Sequence, residues 1–292
     1  MESPIVCLPR MLPRQRWIAA ADNAVRVNPH NHAPVDRLAQ IIPGFQPTRE
    51  YLAAVTAKYW HSGGVKLTVG FLDNPPTDLR KRILAHMNAW SKTANVSFVL
   101  ASKNAQVRIS RAEDGYWSYV GTDILSIEPD QPTMNLQEFT MQTTDREFHR
   151  VVRHETGHTL GFPHEHMRKE LVDKIDPDKA IRFFGQTQGW PPDMVKAQVL
   201  TPLEEGSLIS TEHCDPKSIM CYQIPGTITK DGQPIVGGLD IDSSDYRFAG
   251  KLYPRKKARR KPHKKKKAAR KRMGRKAAKR TLPVRRRKAA VR

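Results

Sequence analysis

Cysteine is scarce in this chain, with Cys7, Cys214 and Cys221 as the only three among 292 residues and no Cys-x-x-Cys pair. That is too few for a disulfide framework and leaves room for one bridge at most. Long apolar runs are missing too. No stretch approaches the roughly 18 consecutive apolar residues that a membrane-spanning helix needs, so no span is expected. The opening Met1-Glu2-Ser3-Pro4 carries an acid and a proline where a secretory signal would carry basic residues, and no apolar run follows it. The expectation is a cytoplasmic protein, or one exported by a route that this sequence does not show. Acidic residues are absent from positions 255–292, which hold 22 of the chain's 50 Lys and Arg. The remaining 28 basic residues face 29 acidic ones, so the net charge of +21 belongs to the tail and the body is close to neutral.

What is present centres on His154-Glu155-Thr156-Gly157-His158-Thr159-Leu160-Gly161-Phe162-Pro163-His164. On a helix turning about 100° per residue, His154 and His158 are one turn apart and offset by roughly 40°, so both imidazoles reach one metal ion. Glu155 lies on the adjacent face, within reach of a water on that ion. Gly161 can take the left-handed conformation that ends a helix, and Pro163 cannot continue it, so the chain can turn back and present His164. Three imidazoles with one open position form the catalytic zinc arrangement, whereas a structural site closes its fourth position with another protein ligand. One Zn2+ per chain is expected.

Around this motif the chain divides into a lead segment (1–57), a body (58–254) and a tail (255–292). The lead segment is rich in Pro, Asn, His and Arg, with a short helix expected over 16–24. Its Cys7-Leu8-Pro9-Arg10 invites comparison with inhibitory pro-segments in which a thiolate takes the open zinc position; the alternative is an ordinary free cysteine. Toward the end of the lead segment, Thr48 is a helix cap candidate before a stripe of Tyr51, Leu52, Val55 and Tyr59. The run 65–71 alternates with period two, as a strand with one buried face does. Thr77 or Asp78 caps a helix carrying Leu79, Ile83, Leu84, Met87 and Trp90. Residues 96–100 and 106–110 read as strands, and 133–137 as a short edge strand able to pair with an extended substrate. Asp145 is expected to cap the metal-binding helix, with Glu147, Arg150 and Arg153 on a solvated face. Residues 178–184 and 191–199 are helix-like. Met220, in Ser218-Ile219-Met220-Cys221-Tyr222, fits either core packing or a specific role.

Four segments in the same order carry a family resemblance: Trp60-His61-Ser62-Gly63-Gly64-Val65, Tyr116-Trp117-Ser118-Tyr119-Val120-Gly121, the metal helix running on to Phe162-Pro163-His164-Glu165-His166-Met167-Arg168, and Ser218 to Tyr222. A weaker fifth runs from Asp245 to Tyr253. Together they resemble the astacin-type zinc metalloproteases of the metzincin group. The resemblance implies an α+β fold, α/β-like in its upper half: a zincin with a twisted, mixed five-stranded sheet, two long helices and an irregular lower half. It implies that Met220 forms a methionine turn beneath the zinc without binding it. It implies that Tyr222 is a switchable ligand that turns to stabilise the oxyanion, and that Glu165 receives a freed amino terminus. Tyr116 stands where the family usually has a cysteine, Cys221 where it has a histidine, and Lys169-Glu170 where it has an Asp-Arg-Asp run.

The expected chemistry is hydrolysis of protein or peptide bonds. Zinc on His154, His158 and His164 lowers the pKa of a bound water from 15.7 to about 7, and Glu155 carries the proton to the leaving amine. The other eight histidines, His30, His32, His61, His86, His149, His166, His213 and His263, read as surface or structural. The tail, with Lys264, Lys265, Lys266, Lys267, Arg285, Arg286 and Arg287 as its densest clusters, has a composition that cannot bury a core and is expected to be disordered. It should bind nucleic acid or another polyanion with strong salt dependence and without reading sequence, since no aromatic is interleaved. A second reading therefore stands beside the first: a retired protease scaffold that serves as a polyanion-binding protein.

Overall fold

In a computed structural model, the structure describes Cys7, residues 10–202 and residues 214–255. The lysine and arginine clusters of the tail lie outside the described residues. No helix among the described residues is long and apolar enough to cross a membrane.

The lead segment forms three helices, α1 (Trp17–Val27), α2 (Ala33–Ile41) and α3 (Arg49–Val55). The α1 helix buries Ala20, Ala21 and Ala24, and Thr48 caps α3 as expected, accepting from the Tyr51 N–H. This segment is tied to the body by buried amides. The Asn31 side chain donates to Ala24 O and Tyr59 O at 2.9 and 2.8 Å, and Asn28 donates to Trp60 O at 2.8 Å.

The body opens with β1 (Val65–Phe71), which buries Val65, Leu67 and Val69 as its alternation predicts. Helix α4 (Thr77–Met87) follows, burying Leu79, Ile83 and Met87 on one stripe. Thr77 is its first residue; the capping position falls to Pro76, whose side chain makes no cap bond. Strands β2 (Val96–Leu100), β3 (Val107–Ser110), β4 (Tyr116–Ser118) and β5 (Met134–Leu136) complete a five-stranded mixed sheet ordered β2-β1-β3-β5-β4. All pairings are parallel except β4 with β5. The edge strands are therefore β2 and, on the side of β5, β4. Residues 134–136, read from sequence as an edge, lie inside the sheet because the aromatic segment 116–118 folds back and pairs antiparallel along them.

Behind the sheet runs a continuous helix made of α5 (Asp145–Glu147), a π-helical turn (Phe148–Val152) and α6 (Arg153–Thr159). Its cap is Thr144, which accepts from Glu147 N–H; Asp145 is the first helical residue. The expected solvated face is only partly so. Arg150 is buried against Glu147, and Arg153 turns inward to Asp240 at 2.6 Å, because each guanidinium finds a carboxylate on the protein side.

The lower half contains α7 (Lys169–Val172), α8 (Pro177–Gln188) and α9 (Pro192–Val195) leading into a second π turn (Lys196–Leu200), while α10 (Ser243–Leu252) closes the body and packs on the core beside the sheet. Two hydrophobic clusters result. One lies between sheet and helices, and the other gathers Leu171, Ile175, Phe184, Trp190, Val195 and Ile228 of the lower half. Met220 belongs to the first cluster and Tyr222 to the second.

Candidate metal centre

The metal helix stops where its sequence says it must. Gly161 sits at φ +98°, Phe162 N–H donates to Gly157 O at 3.0 Å and Gly161 N–H to His158 O at 2.8 Å. That pair of bonds is a Schellman closure. It returns the chain so that His164 faces the helix, and Glu165 N–H, bonded to Met220 O at 2.8 Å, pins it there.

Three imidazoles now converge. Their Nε2 atoms are 3.1 Å (His154 to His164), 3.1 Å (His154 to His158) and 3.0 Å (His158 to His164) apart. The opposite nitrogens are engaged: His154 Nδ1–H donates to Ile219 O at 2.6 Å and His158 Nδ1–H to Phe162 O at 2.8 Å. With the proton held on Nδ1, each of these two rings offers a lone pair at Nε2. Burial holds the pKa of His154 down to about 4 and pushes His158 and His164 well below the usual range, so the rings stay neutral. Buried lone pairs aimed at one point repel one another unless a cation lies between them.

Residues 54–183 match the sequence model of the Astacin peptidase family. The chain belongs to the astacin family. The Caenorhabditis elegans zinc metalloproteinase nas-27 is 34% identical over 106 residues, 36% of this chain and 23% of that relative's length. A solved structure of myroilysin superposes with a TM-score of 0.64 at 29% identity, covering 68% of this chain and 97% of that one. A crystal structure of myroilysin gives a TM-score of 0.52 at 30% identity, over 68% and 86% of the two chains.

Zinc, the metal of the astacin metalloproteases, fits this donor set. Ligand nitrogens at 2.0–2.1 Å in a tetrahedron stand about 3.3 Å apart, close to the separations found here. Carbonyls on the distal nitrogens fix tautomer and ring orientation. Cys7 Sγ joins the group, and its sulfur and the three imidazoles each place a donor atom within 4.8 Å of the others.

Glu155 is buried and its carboxyl is raised to about 8, chiefly by loss of solvent. Cys7 Sγ donates to its Oε2 at 3.3 Å. Burial and the Glu155 charge push the Cys7 thiol well up. Tyr222 lies 4.4 Å, ring centre to ring centre, from His164, and its hydroxyl donates to the carbonyl of Cys7. Met220 sits against the metal helix. A methyl group added at Gly157 would collide with the Met220 sulfur, so the glycine inside the motif is there to admit the methionine.

Several contributors were not legible in the sequence. Asp245 accepts from Ser218 Oγ at 2.6 Å and from Ile219 N–H at 3.0 Å, so the start of α10 sets the loop that carries Met220. His166, read as surface or structural, is fully buried and stacks on Tyr222 at 3.9 Å, with Nε2–H donating to Gln198 O. Glu165 accepts from Asp215 N–H at 3.0 Å and faces Arg168. His30, His32 and His61 are exposed, while His86 and His149 meet at a tilt of 51° with ring centres 5.1 Å apart. His213 and His263 lie outside the described residues.

Proposed function

We propose that this chain is a zinc-dependent endopeptidase held latent by its own lead segment, whose Cys7 stands at the candidate metal site. The convergence of three neutral imidazoles, two of them anchored by carbonyls, beside a buried Glu155 carries the reading. Zinc, when bound, supplies a Lewis acid that acidifies water and polarises a peptide carbonyl. Glu155, buried beside the three imidazoles, would take a proton from that water in its ionised form and hand it to the leaving amine. Tyr222 already donates to a peptide carbonyl, that of Cys7, and the same hydroxyl serves the oxyanion of a substrate carbonyl. Met220 supports the ligands from beneath.

The latent form rests on Cys7. Its sulfur stands among the ligand nitrogens, its carbonyl engages Tyr222 and its thiol engages Glu155, so one residue occupies three functional groups at once. Residues 58–254 form the catalytic domain in this reading, and the 22 basic residues of 255–292 hold the enzyme on a polyanion such as nucleic acid.

The test is casein cleavage by the zinc-loaded full chain and its Cys7→Ala, Glu155→Gln and doubly substituted forms, with and without chelator. Cleavage that rises in Cys7→Ala, vanishes with chelator and vanishes with Glu155→Gln supports the reading. Cleavage that survives Glu155→Gln refutes it.

A further inference from the structure

The lead segment does more than place a sulfur. Cys7 bridges to Tyr116 and Arg10 to Tyr119, both in the parallel sense, so these two residues lie against the edge of the sheet at β4. Arg10, three positions on from Cys7, has a prepared seat for its guanidinium. It pairs with the Asp114 carboxylate and stacks on the Trp117 ring, 4.6 Å from the ring centre. The seat is held from beneath, since Trp117 Nε1–H donates to the same Asp114 oxygen at 3.1 Å and Tyr119 meets the Trp117 ring edge-on at 5.9 Å.

An exposed ion pair alone contributes little. A planar cation held by a carboxylate and an indole face together is a recognition element, and it suits Arg above Lys because the guanidinium can stack and pair simultaneously. A substrate strand added to β4 must use the same edge that the lead segment now covers.

We propose that Asp114 and Trp117 form a substrate subsite for a basic side chain, so that the enzyme favours cleavage of proteins and peptides with Arg or Lys three residues from the residue seated at the metal, on the Tyr119 side. Arg10 is the internal occupant of this subsite. The inference rests on the endopeptidase reading.

The experiment uses the zinc-loaded full chain carrying Cys7→Ala and dansylated decapeptides of Ala and Ser in which a single Arg, Gln or Glu is scanned through every position. Binding of the same peptides is measured on the Cys7→Ala, Glu155→Gln chain, so that the subsite is read even without turnover. One position should show Arg preferred over Gln about tenfold in kcat/KM and in Kd, the combined scale of an ion pair and a cation–π contact. Asp114→Asn should abolish that preference, and Asp114→Lys should turn it toward Glu at the same position. Equal handling of Arg and Gln at every position, while casein is cut, overturns the subsite and leaves the peptidase standing. A preference that survives both Asp114 substitutions also overturns it. Failure to cut casein, with Arg peptides still bound about tenfold tighter than Gln peptides in an Asp114-dependent way, overturns the peptidase reading and keeps the binding site.

Discussion

The Nδ1 of His154 lies 2.6 Å from the carbonyl oxygen of Ile219, sixty-five residues along the chain, while the amide N–H of the same Ile219 donates to Asp245 at 3.0 Å. The orientation of the His154 ring is thus set by a carboxylate at the head of α10. Outer partners of metal-bound histidines typically affect metal affinity by 10–100-fold. Asp245→Ala should weaken zinc binding within that range in a chelator competition titration, with Asp245→Asn closer to the parent because the amide can still accept from Ile219. Unchanged affinity in both would mean that the Ile219 loop holds itself.

Gly157→Ala exchanges a poor helix former for the best one, which in an open helix would stabilise by about 1 kcal/mol. Here the added methyl meets the Met220 sulfur. Overpacking should win, and the variant should lose about 1–3 kcal/mol in urea unfolding. In a Met220→Ala background the same substitution should cost at least about 0.5 kcal/mol less, a coupling that distant sites do not show.

Bound metal ties three segments of chain into one stable unit. At zinc about a thousandfold above its Kd, the folded state should gain about 4 kcal/mol over the stripped protein, seen as a higher Tm that falls on adding chelator. Chelation should also speed alkylation of Cys7, followed by mass spectrometry of its peptide, because a metal-held sulfur is shielded from reagents. Equal alkylation rates with and without zinc would place Cys7 outside the metal's reach.

Asp123 gives a signature in pH. It lines a cavity between α1 and the body with Leu12, Trp17 and Lys58, and its Oδ1 is shut from solvent without a hydrogen-bond partner among the described residues. Burial raises its carboxyl from the ordinary 3.8 to about 6, against the pull of Lys58. Between pH 4 and 6 the folded state holds more protons than the unfolded chain, so stability should fall as pH rises through this window, by about 2 kcal/mol. Asp123→Asn should flatten that part of the Tm profile, and a flat parent profile would remove Asp123 as its cause.

The tail yields a prediction that is independent of the catalytic body. Retention of the full chain on immobilised DNA should fall steeply with salt, and removal of residues 256–292 should abolish it while leaving the melting of the remaining chain unchanged. Retention that survives the truncation would assign polyanion binding to the body instead.

The ligand set was legible because a helix repeats and a glycine ends it. The four-position spacing of His154 and His158 fixes a shared face whatever the rest of the chain does, and Gly161 with Pro163 fixes the reversal that brings in His164. The strands at 65–71 and 96–100 were legible from alternation and apolar content. Strand order was not, since alternation names a buried face and never a neighbour. That is why the sequence reading placed the sheet edge at 133–137, whereas the aromatic segment 116–118 occupies it. The solvated face assigned to Arg150 and Arg153 failed for a similar reason, because helical periodicity cannot foresee a carboxylate supplied by Asp240 from another part of the chain.

By itself, then, the amino-acid sequence determined the convergence of His154, His158 and His164 beside Glu155 and the segregation of charge into the tail, all of which depend on contacts within about ten residues or on composition alone. Tertiary structure decided what those groups face. Asp245 orients His154 through Ile219, Gly157 makes room for Met220, and Arg10 reaches Asp114 across the sheet edge. Such pairings join residues tens to a hundred positions apart, and their partners are chosen by the packing of the sheet against its helices, which local spacing does not encode.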